Sequence, residues 1–309
     1  MKVVVTGGAG FIGANLCRTL AEGGVDDIFA FDNLSTGRRE NLQGGEATLI
    51  EGSILDPTAL DRAFEGADAV VHLAARPSVP KSIADPLASH DANATGTAQV
   101  LEAVRRAGGP QVIVASSSSV YGANPTLPKN EHLTPIPVSP YAASKLATES
   151  YALAWGRSFG LDVLAFRFFN VFGPLQRAGH AYAAVIPAFV SAALEGRPLP
   201  VHGDGRQTRD FTFVDSVTAV IADAVHRRVT SETAVNLAFG GRFSLIEVIA
   251  YLEQVVGHPL EREHHEPRPG DVRDSQADQT TLRALFPDIK PIELDEGLRR
   301  TVDWFTSSA

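Results

Sequence analysis

Residues 3–13 read VVVTGGAGFIG, and the change of pattern inside this stretch decides the fold. Consecutive valines predict a short strand, because β-branched side chains suit a pleated surface that is covered on both faces. Gly7, Gly10 and Gly13 follow in a G-x-x-G-x-x-G spacing that leads into an amphipathic helix. Glycine here permits a tight turn, a close backbone approach to a pyrophosphate, and close packing of helix on strand. The helix N-terminus then presents unpaired N–H groups and the positive end of its dipole to an anion.

Working outward, apolar runs of strand length recur at Ile28–Asp32, Ala47–Glu51, Ala69–Leu73, Val112–Ala115, Val163–Arg167 and Val235–Leu237. Helical patterns cover Ile12–Glu22, Thr58–Phe64, Pro86–Ala107 and Pro140–Phe159. The alternation predicts an α/β protein built on a doubly wound parallel sheet, a Rossmann fold. After Gly173, helical stretches at Ala183–Glu195 and Ser244–Val256 sit among Pro/Gly-rich segments such as GRPLPVHGDG and EPRPGD. They predict a smaller mixed α/β lobe made from discontinuous pieces. The expected division gives residues 1–174 with about 215–240 to the dinucleotide-binding domain, and 175–214 with about 241–309 to the smaller lobe.

Asp32 ends the second strand, 19 residues after Gly13. A carboxylate there accepts hydrogen bonds from an adenosine ribose and repels a 2′-phosphate, so the expected cofactor is NAD and not NADP.

The rest of the composition narrows the function by exclusion. The net charge of −9 is spread along the 309 residues with no Lys/Arg block, which disfavours nucleic-acid binding. No window approaches 18 uninterrupted apolar residues, so no membrane span is expected. MKVVVTGG reads as a strand and not as a signal peptide. The single cysteine, Cys17, lies in a helical pattern and reads as a small buried hydrophobe of a reducing cytoplasm.

The segment SPYAASK, residues 139–145, opens a helix with Ser139 as N-cap and Pro140 at the first helical position. Tyr141 and Lys145 are four apart and share a face. A tyrosine is a poor base at its reference pKa of about 10, and a nearby ammonium would stabilise its phenolate. Upstream, Ser116, Ser117, Ser118 and Ser119 follow a strand of buried type, at the carboxyl end where α/β sites form. One of these hydroxyls could bond both a sugar oxygen and the tyrosine.

TGGAGFIG, DNLSTG, HLAA, SSSSVYG, YAASK, RFFNVFGP, GDGRQTRDF and RPGDV occur in that order from Met1 to about Asp278. Together they resemble the extended short-chain dehydrogenase/reductases, specifically the NAD-dependent nucleotide-sugar epimerase/dehydratase family. The resemblance implies a catalytic triad of Ser117, Tyr141 and Lys145. It implies NAD contacts from Gly7, Gly10, Phe11, Ile12, Gly13, Asp32, Asn33, Ser35, Thr36 and Gly37. Ser53, Ile54, Leu73, Ala74, Ala75, Asn93, Ser116 and Phe168 join them, with Tyr141 and Lys145. Ser53 stands where relatives usually carry an Asp beside the adenine. For the sugar nucleotide, the resemblance implies Arg209 and Arg268 at the diphosphate, with Asn170 beside them and Asp271 nearby. Val185 falls at a uracil pocket; Ser78, Ser82, Ser117, Ser118, Ser119, Tyr141, Phe169 and Ser275 fall at the sugar. Leu175 stands where relatives commonly have Arg.

Within that family, members that eliminate water carry Asp-Glu directly after the catalytic Ser or Thr, and decarboxylating members carry Glu in the second position. Here those positions are Ser118 and Ser119, which cannot act as carboxylic acids or bases. The expected activity is therefore a 4-epimerase of a UDP-hexose, with a 4,6-dehydratase, another oxidoreductase and a catalytically silent NAD-binding regulator as alternatives. Ser275 is small, which suits an N-acetyl group, while the serines could read a glucuronate carboxylate. Glucose, glucuronate and N-acetylglucosamine, and UDP against dTDP, stay open. His264 and His265 point apart on a strand with no third ligand at useful spacing, so no metal is expected. The resemblance further implies a homodimer through a pair of helices that includes 86–107 and 140–159.

Overall fold

The computed structural model describes residues 1–45, 47–178, 184–266 and 272–307. Strands β1 (Lys2–Thr6), β2 (Asp27–Asp32), β3 (Thr48–Glu51), β4 (Ala69–His72), β5 (Gln111–Ser117) and β6 (Val163–Phe168) form one sheet with the later strand Val235–Leu237. All its pairings are parallel. From one edge the order is Val235–Leu237, β6, β5, β4, β1, β2, β3. The chain reverses its winding between β1 and β4, and the crevice at such a switch point is where this architecture places ligands.

Strand alternation explains why the runs read as wholly apolar. Val3 and Val5, Ala69 and Val71, Ile113, and Leu164 and Phe166 enter one core, beneath helices α1 (Phe11–Glu22) and Val214–Arg227. Val4, Val70, Val112 and Val114, and Val163 and Ala165 enter the other, beneath α2 (Pro57–Phe64), the helix Gly96–Arg106 and the helix Pro140–Phe159. Both faces are covered, so both parities must be hydrophobic.

The sequence expects one helix over 86–107; the structure divides it. Pro86–His90 and Gly96–Arg106 flank a π-helical turn at Asp91–Thr95. The cause is local. The Asn93 carbonyl accepts from the hydroxyls of Thr97 (2.5 Å) and Thr148 (3.0 Å), while its side chain bonds the backbone of Arg76 and the Ser144 hydroxyl. Side-chain capture of the helical carbonyl widens the turn.

A further core gathers Phe172, Phe211 and Phe213 with the helices Val185–Leu194, Leu245–Val256 and Leu294–Ser307. Ser244 caps the second of these in a full capping box with Glu247. Leu282 and Phe286, although in the 241–309 segment, pack into the sheet's first core, with Phe286 against Phe166.

Candidate active site

The three glycines of the first turn are in place for backbone reasons. Gly7 has φ +71°, and a Cβ on it would stand 2.8 Å from the Ala74 nitrogen; one on Gly13 would meet the Gly7 carbonyl at 2.2 Å. A Cβ on Gly10 meets only the Gly7 oxygen, at 3.1 Å, which leaves the outward side of the turn clear. The buried Asp32 carboxylate accepts from Ala9 N (3.1 Å) and Leu34 N (2.8 Å), and Gly37 packs against it where a Cβ would come within 2.7 Å. Asn33 caps the same loop by accepting from Ser35 N. Beside β4, Ala74 N reaches the Thr6 hydroxyl, and Ile54 fills the space at Gly96 where a side chain would clash. The Ser53 hydroxyl accepts from Leu55 N. A glycine cradle open outward, with an acidic side chain held at the end of β2, fits a dinucleotide.

The helix α6 (Pro140–Phe159, the sixth α-helix of the chain) starts as its sequence expects, with the Ser139 hydroxyl accepting from Ala142 N. Tyr141 and Lys145 share its buried side toward the end of β5. The Tyr141 phenol is raised above its ordinary value, chiefly by burial, and the Ser117 hydroxyl bonded to it offsets part of that rise. Lys145 donates from Nζ to the Ala115 carbonyl at 2.9 Å, and burial brings it down to about 8. The sequence expects the lysine together with a bound nicotinamide ring to lower the tyrosine; in the protein alone the Lys145 ammonium is turned onto the strand carbonyl and is itself desolvated.

The four serines part company. Ser116 donates to the Glu149 carboxylate (2.7 Å) and to the Lys145 carbonyl (3.2 Å), so its hydroxyl is spent inside the protein. Ser117 accepts from the backbone and hydroxyl of Ser119 at 3.2 and 3.0 Å, which caps a 3-10 turn. Ser117, Ser118 and Ser119 line a cavity of about 250 Å³ together with Phe168, Phe169, Asn170, Arg209 and Ser275. Ser82 does not line it. That residue is fully buried, accepts from Tyr141 N (3.0 Å) and donates to the Val79 carbonyl (2.7 Å), so it braces the start of α6 from behind. Ser78, at φ +103°, caps the short helix Val79–Ala84, and only Val79 of that helix reaches the cavity.

A neighbouring cavity of about 200 Å³ shares Asn170 and Arg209 with the first and has Val185 in its wall. Asn170 donates from its amide to the Asp210 carbonyl, and Arg209 Nη1 donates to the carbonyls of Thr208 and Arg273. Arg268 and Asp271 lie outside the described residues. Sequence reading passed over Gln176, Gln207 and His202, which line the second cavity, and Lys129, which lines the first. Gln176 follows Leu175 directly and could have been found there. Lys129, in the stretch LPKNEH, belongs to none of the motifs and gave no signal.

A dinucleotide cradle after β1, a Ser/Tyr/Lys cluster at the end of β5 and two cavities that share Arg209 define an α/β enzyme of the nucleotide-sugar oxidoreductase class. The chain belongs to the NAD dependent epimerase/dehydratase family, whose model matches residues 3–238. It is 37% identical over 317 residues to a UDP-glucose 4-epimerase of Mycolicibacterium smegmatis, covering 100% of both chains. A UDP-N-acetylglucosamine 4-epimerase from Methanobrevibacter ruminantium, solved with UDP-N-acetylmuramic acid, superposes with a TM-score of 0.93 at 37% identity, over 100% of this chain and 99% of that one. A UDP-glucuronic acid 4-epimerase from Bacillus cereus, solved with UDP-glucuronic acid and NAD, gives 0.91 at 29% identity, over 100% of both chains.

Proposed function

We infer that this chain is an NAD-dependent 4-epimerase of UDP-hexoses. The observation that carries the reading is the Ser117–Tyr141 contact at the edge of the sugar cavity, with Ser118 and Ser119, not carboxylates, filling the next two wall positions. The three relatives named above invert C4 of UDP-sugars according to their names, and this chain matches each along essentially its whole length.

Tyr141 takes the proton from the sugar O4, with the Ser117 hydroxyl bridging phenol and substrate oxygen. NAD, when bound, would supply the hydride acceptor for C4 and a positive charge that favours the Tyr141 phenolate. Lys145 holds the cofactor ribose and adds a second positive charge to the site. The Gly7–Gly13 turn holds the pyrophosphate and Asp32 the adenosine ribose. The 4-keto-sugar meets only hydroxyls where dehydratases keep an acid and a base. It turns over and is reduced on its other face, and Tyr141 returns the proton. Arg209, Asn170 and Arg268 hold the diphosphate that anchors the substrate through this rotation. Val185 belongs to the uracil pocket.

Among the described residues no helix is long and apolar enough to cross a membrane. We read the chain as a cytoplasmic homodimer; support comes from Leu87 (73% exposed) and from the exposed Tyr151 and Phe159 on the two helical segments named for pairing. The test is product NMR of the purified protein on UDP-glucose, UDP-glucuronate and UDP-N-acetylglucosamine without added NAD. C4 inversion of at least one is expected. A 4-keto-6-deoxy product would move the chain to the dehydratases, and retained NAD without turnover of any sugar would make it a binding protein.

A further inference from the structure

Lys129 is a charge without a counter-charge. It is only 4% exposed, and among the described residues no carboxylate stands within ion-pair distance of it. Its ammonium donates to the Asn124 carbonyl, which leaves two N–H donors. Its ionisation is lowered by burial alone, with no neighbouring charge contributing. The backbone around it is fixed on both sides. Lys129 N donates to Gln276 O, and Lys129 O accepts from Asp278 N and the Asn236 amide, each at 2.8 Å. The backbone of the residue is thus set firmly into the wall of the sugar cavity, whose one described acid, Asp274, is engaged by the Thr208 hydroxyl (2.6 Å) and by Arg242 (3.6 Å).

Burying an ammonium without a partner costs several kcal/mol, and proteins keep such groups where a ligand completes them. The diphosphate already has Arg209 at the junction of the two cavities. What remains for Lys129 is the hexose itself, in the cavity that also contains Ser117, Ser118 and Ser119. Ser117 marks C4 in the epimerase reading, and C5, which bears C6, is bonded to C4.

We propose that Lys129 is a specificity-determining residue that pairs with the C6 carboxylate of the sugar, Ser118 and Ser119 adding hydroxyl donors, so that the preferred substrate is a UDP-hexuronate. The inference rests on the epimerase reading and narrows it. A neutral hexose leaves the ammonium buried and unpaired, which is a penalty built against UDP-glucose as much as a gain for UDP-glucuronate.

The experiment compares kcat/KM for UDP-glucuronate and UDP-glucose in the wild-type protein, Lys129→Met and Lys129→Arg, with calorimetric binding of both nucleotides to each. The wild type is expected to favour UDP-glucuronate by about tenfold or more, and Lys129→Met to lower that ratio by about 10- to 100-fold, mainly through KM. Lys129→Arg should recover part of the ratio. An unchanged ratio in Lys129→Met, or a wild type that prefers UDP-glucose, overturns the proposal. Should Lys129→Met not fold, the wild-type ratio and Lys129→Arg still decide it. Loss of turnover on both sugars with preserved binding preference would sink the epimerase reading and leave the Lys129 assignment standing.

Discussion

Tyr141 and Asp32 carry the two claims that single side chains can decide. Tyr141→Phe removes the phenol we propose as the O4 base while leaving Ser82 bonded to an unaltered backbone N–H, so the helix start survives. We expect turnover to fall by about 10²- to 10⁴-fold with NAD still retained; steady-state rates and the absorbance of bound cofactor check both halves, and near-wild-type turnover contradicts the assignment. Asp32→Ala should narrow the preference for NAD over NADP, measured by calorimetry with each dinucleotide, because the charge that repels a 2′-phosphate is gone. Equal affinity of the wild type for the two would refute the reading. These residues were legible in the sequence because their chemistry depends on a fixed offset from a glycine turn or a helix cap. Ser82 and Lys129 were not: one reads as a pocket hydroxyl and is a brace, the other belongs to no motif and is buried. Burial of a polar side chain depends on segments distant in the chain, Tyr141 for Ser82 and Asn236 and Gln276 for Lys129, and a linear pattern does not contain that.

Among elements, the end of β5 and the middle of α6 are locked by a buried ion pair. Arg167 on β6 grips Glu149 in a two-pronged contact at 2.7 and 3.0 Å, Ser116 donates to the same carboxylate, and the guanidinium lies 4.7 Å from the centre of the Tyr121 ring. Tyr121 in turn donates to Asn236 at 2.7 Å. Glu149 sits one turn beyond Lys145, so this network sets where the lysine stands. Removing the partner leaves an uncompensated buried charge. Arg167→Met should destabilise the fold by about 3–5 kcal/mol in urea unfolding, whereas a loss within about 0.5 kcal/mol would class the pair with ordinary surface contacts. The sequence showed α6 to its end residues, since capping serine, proline and closing glycine are all local. It showed 86–107 as continuous, because the π turn arises from Thr148 on another helix, which no periodicity registers.

At the level of the whole molecule, the strand pattern fixed the sheet and its winding, while the assignment of later segments to lobes was less visible. Leu282 and Phe286 join the sheet's core because an aromatic partner, Phe166, waits there. The same burial gives the fold a pH dependence. His72 is enclosed between the hydroxyls of Thr6 (2.7 Å) and Thr97 (3.1 Å), and burial, reinforced by Lys145, brings it down to about 3. Its value is lower folded than unfolded, so the unfolded chain binds the extra proton between pH of about 6.5 and 3. Stability from this group is present above that window and is lost as pH falls through it, by a few kcal/mol in total. His72→Gln should flatten the acid limb of the unfolding free energy; an identical slope in wild type and variant would show that His72 does not govern it.

The central claim is that one hydride leaves C4 and returns to it within a single binding event, and deuterium at C4 follows that hydride directly. A UDP-hexose labelled with deuterium at C4 is incubated with the purified protein in ordinary water without added NAD, and the epimer is examined by NMR. The account predicts an inverted C4 that keeps its deuterium, with no solvent hydrogen entering at C3 or C5. Inversion with loss of the label, or solvent hydrogen incorporated at C5, would contradict it.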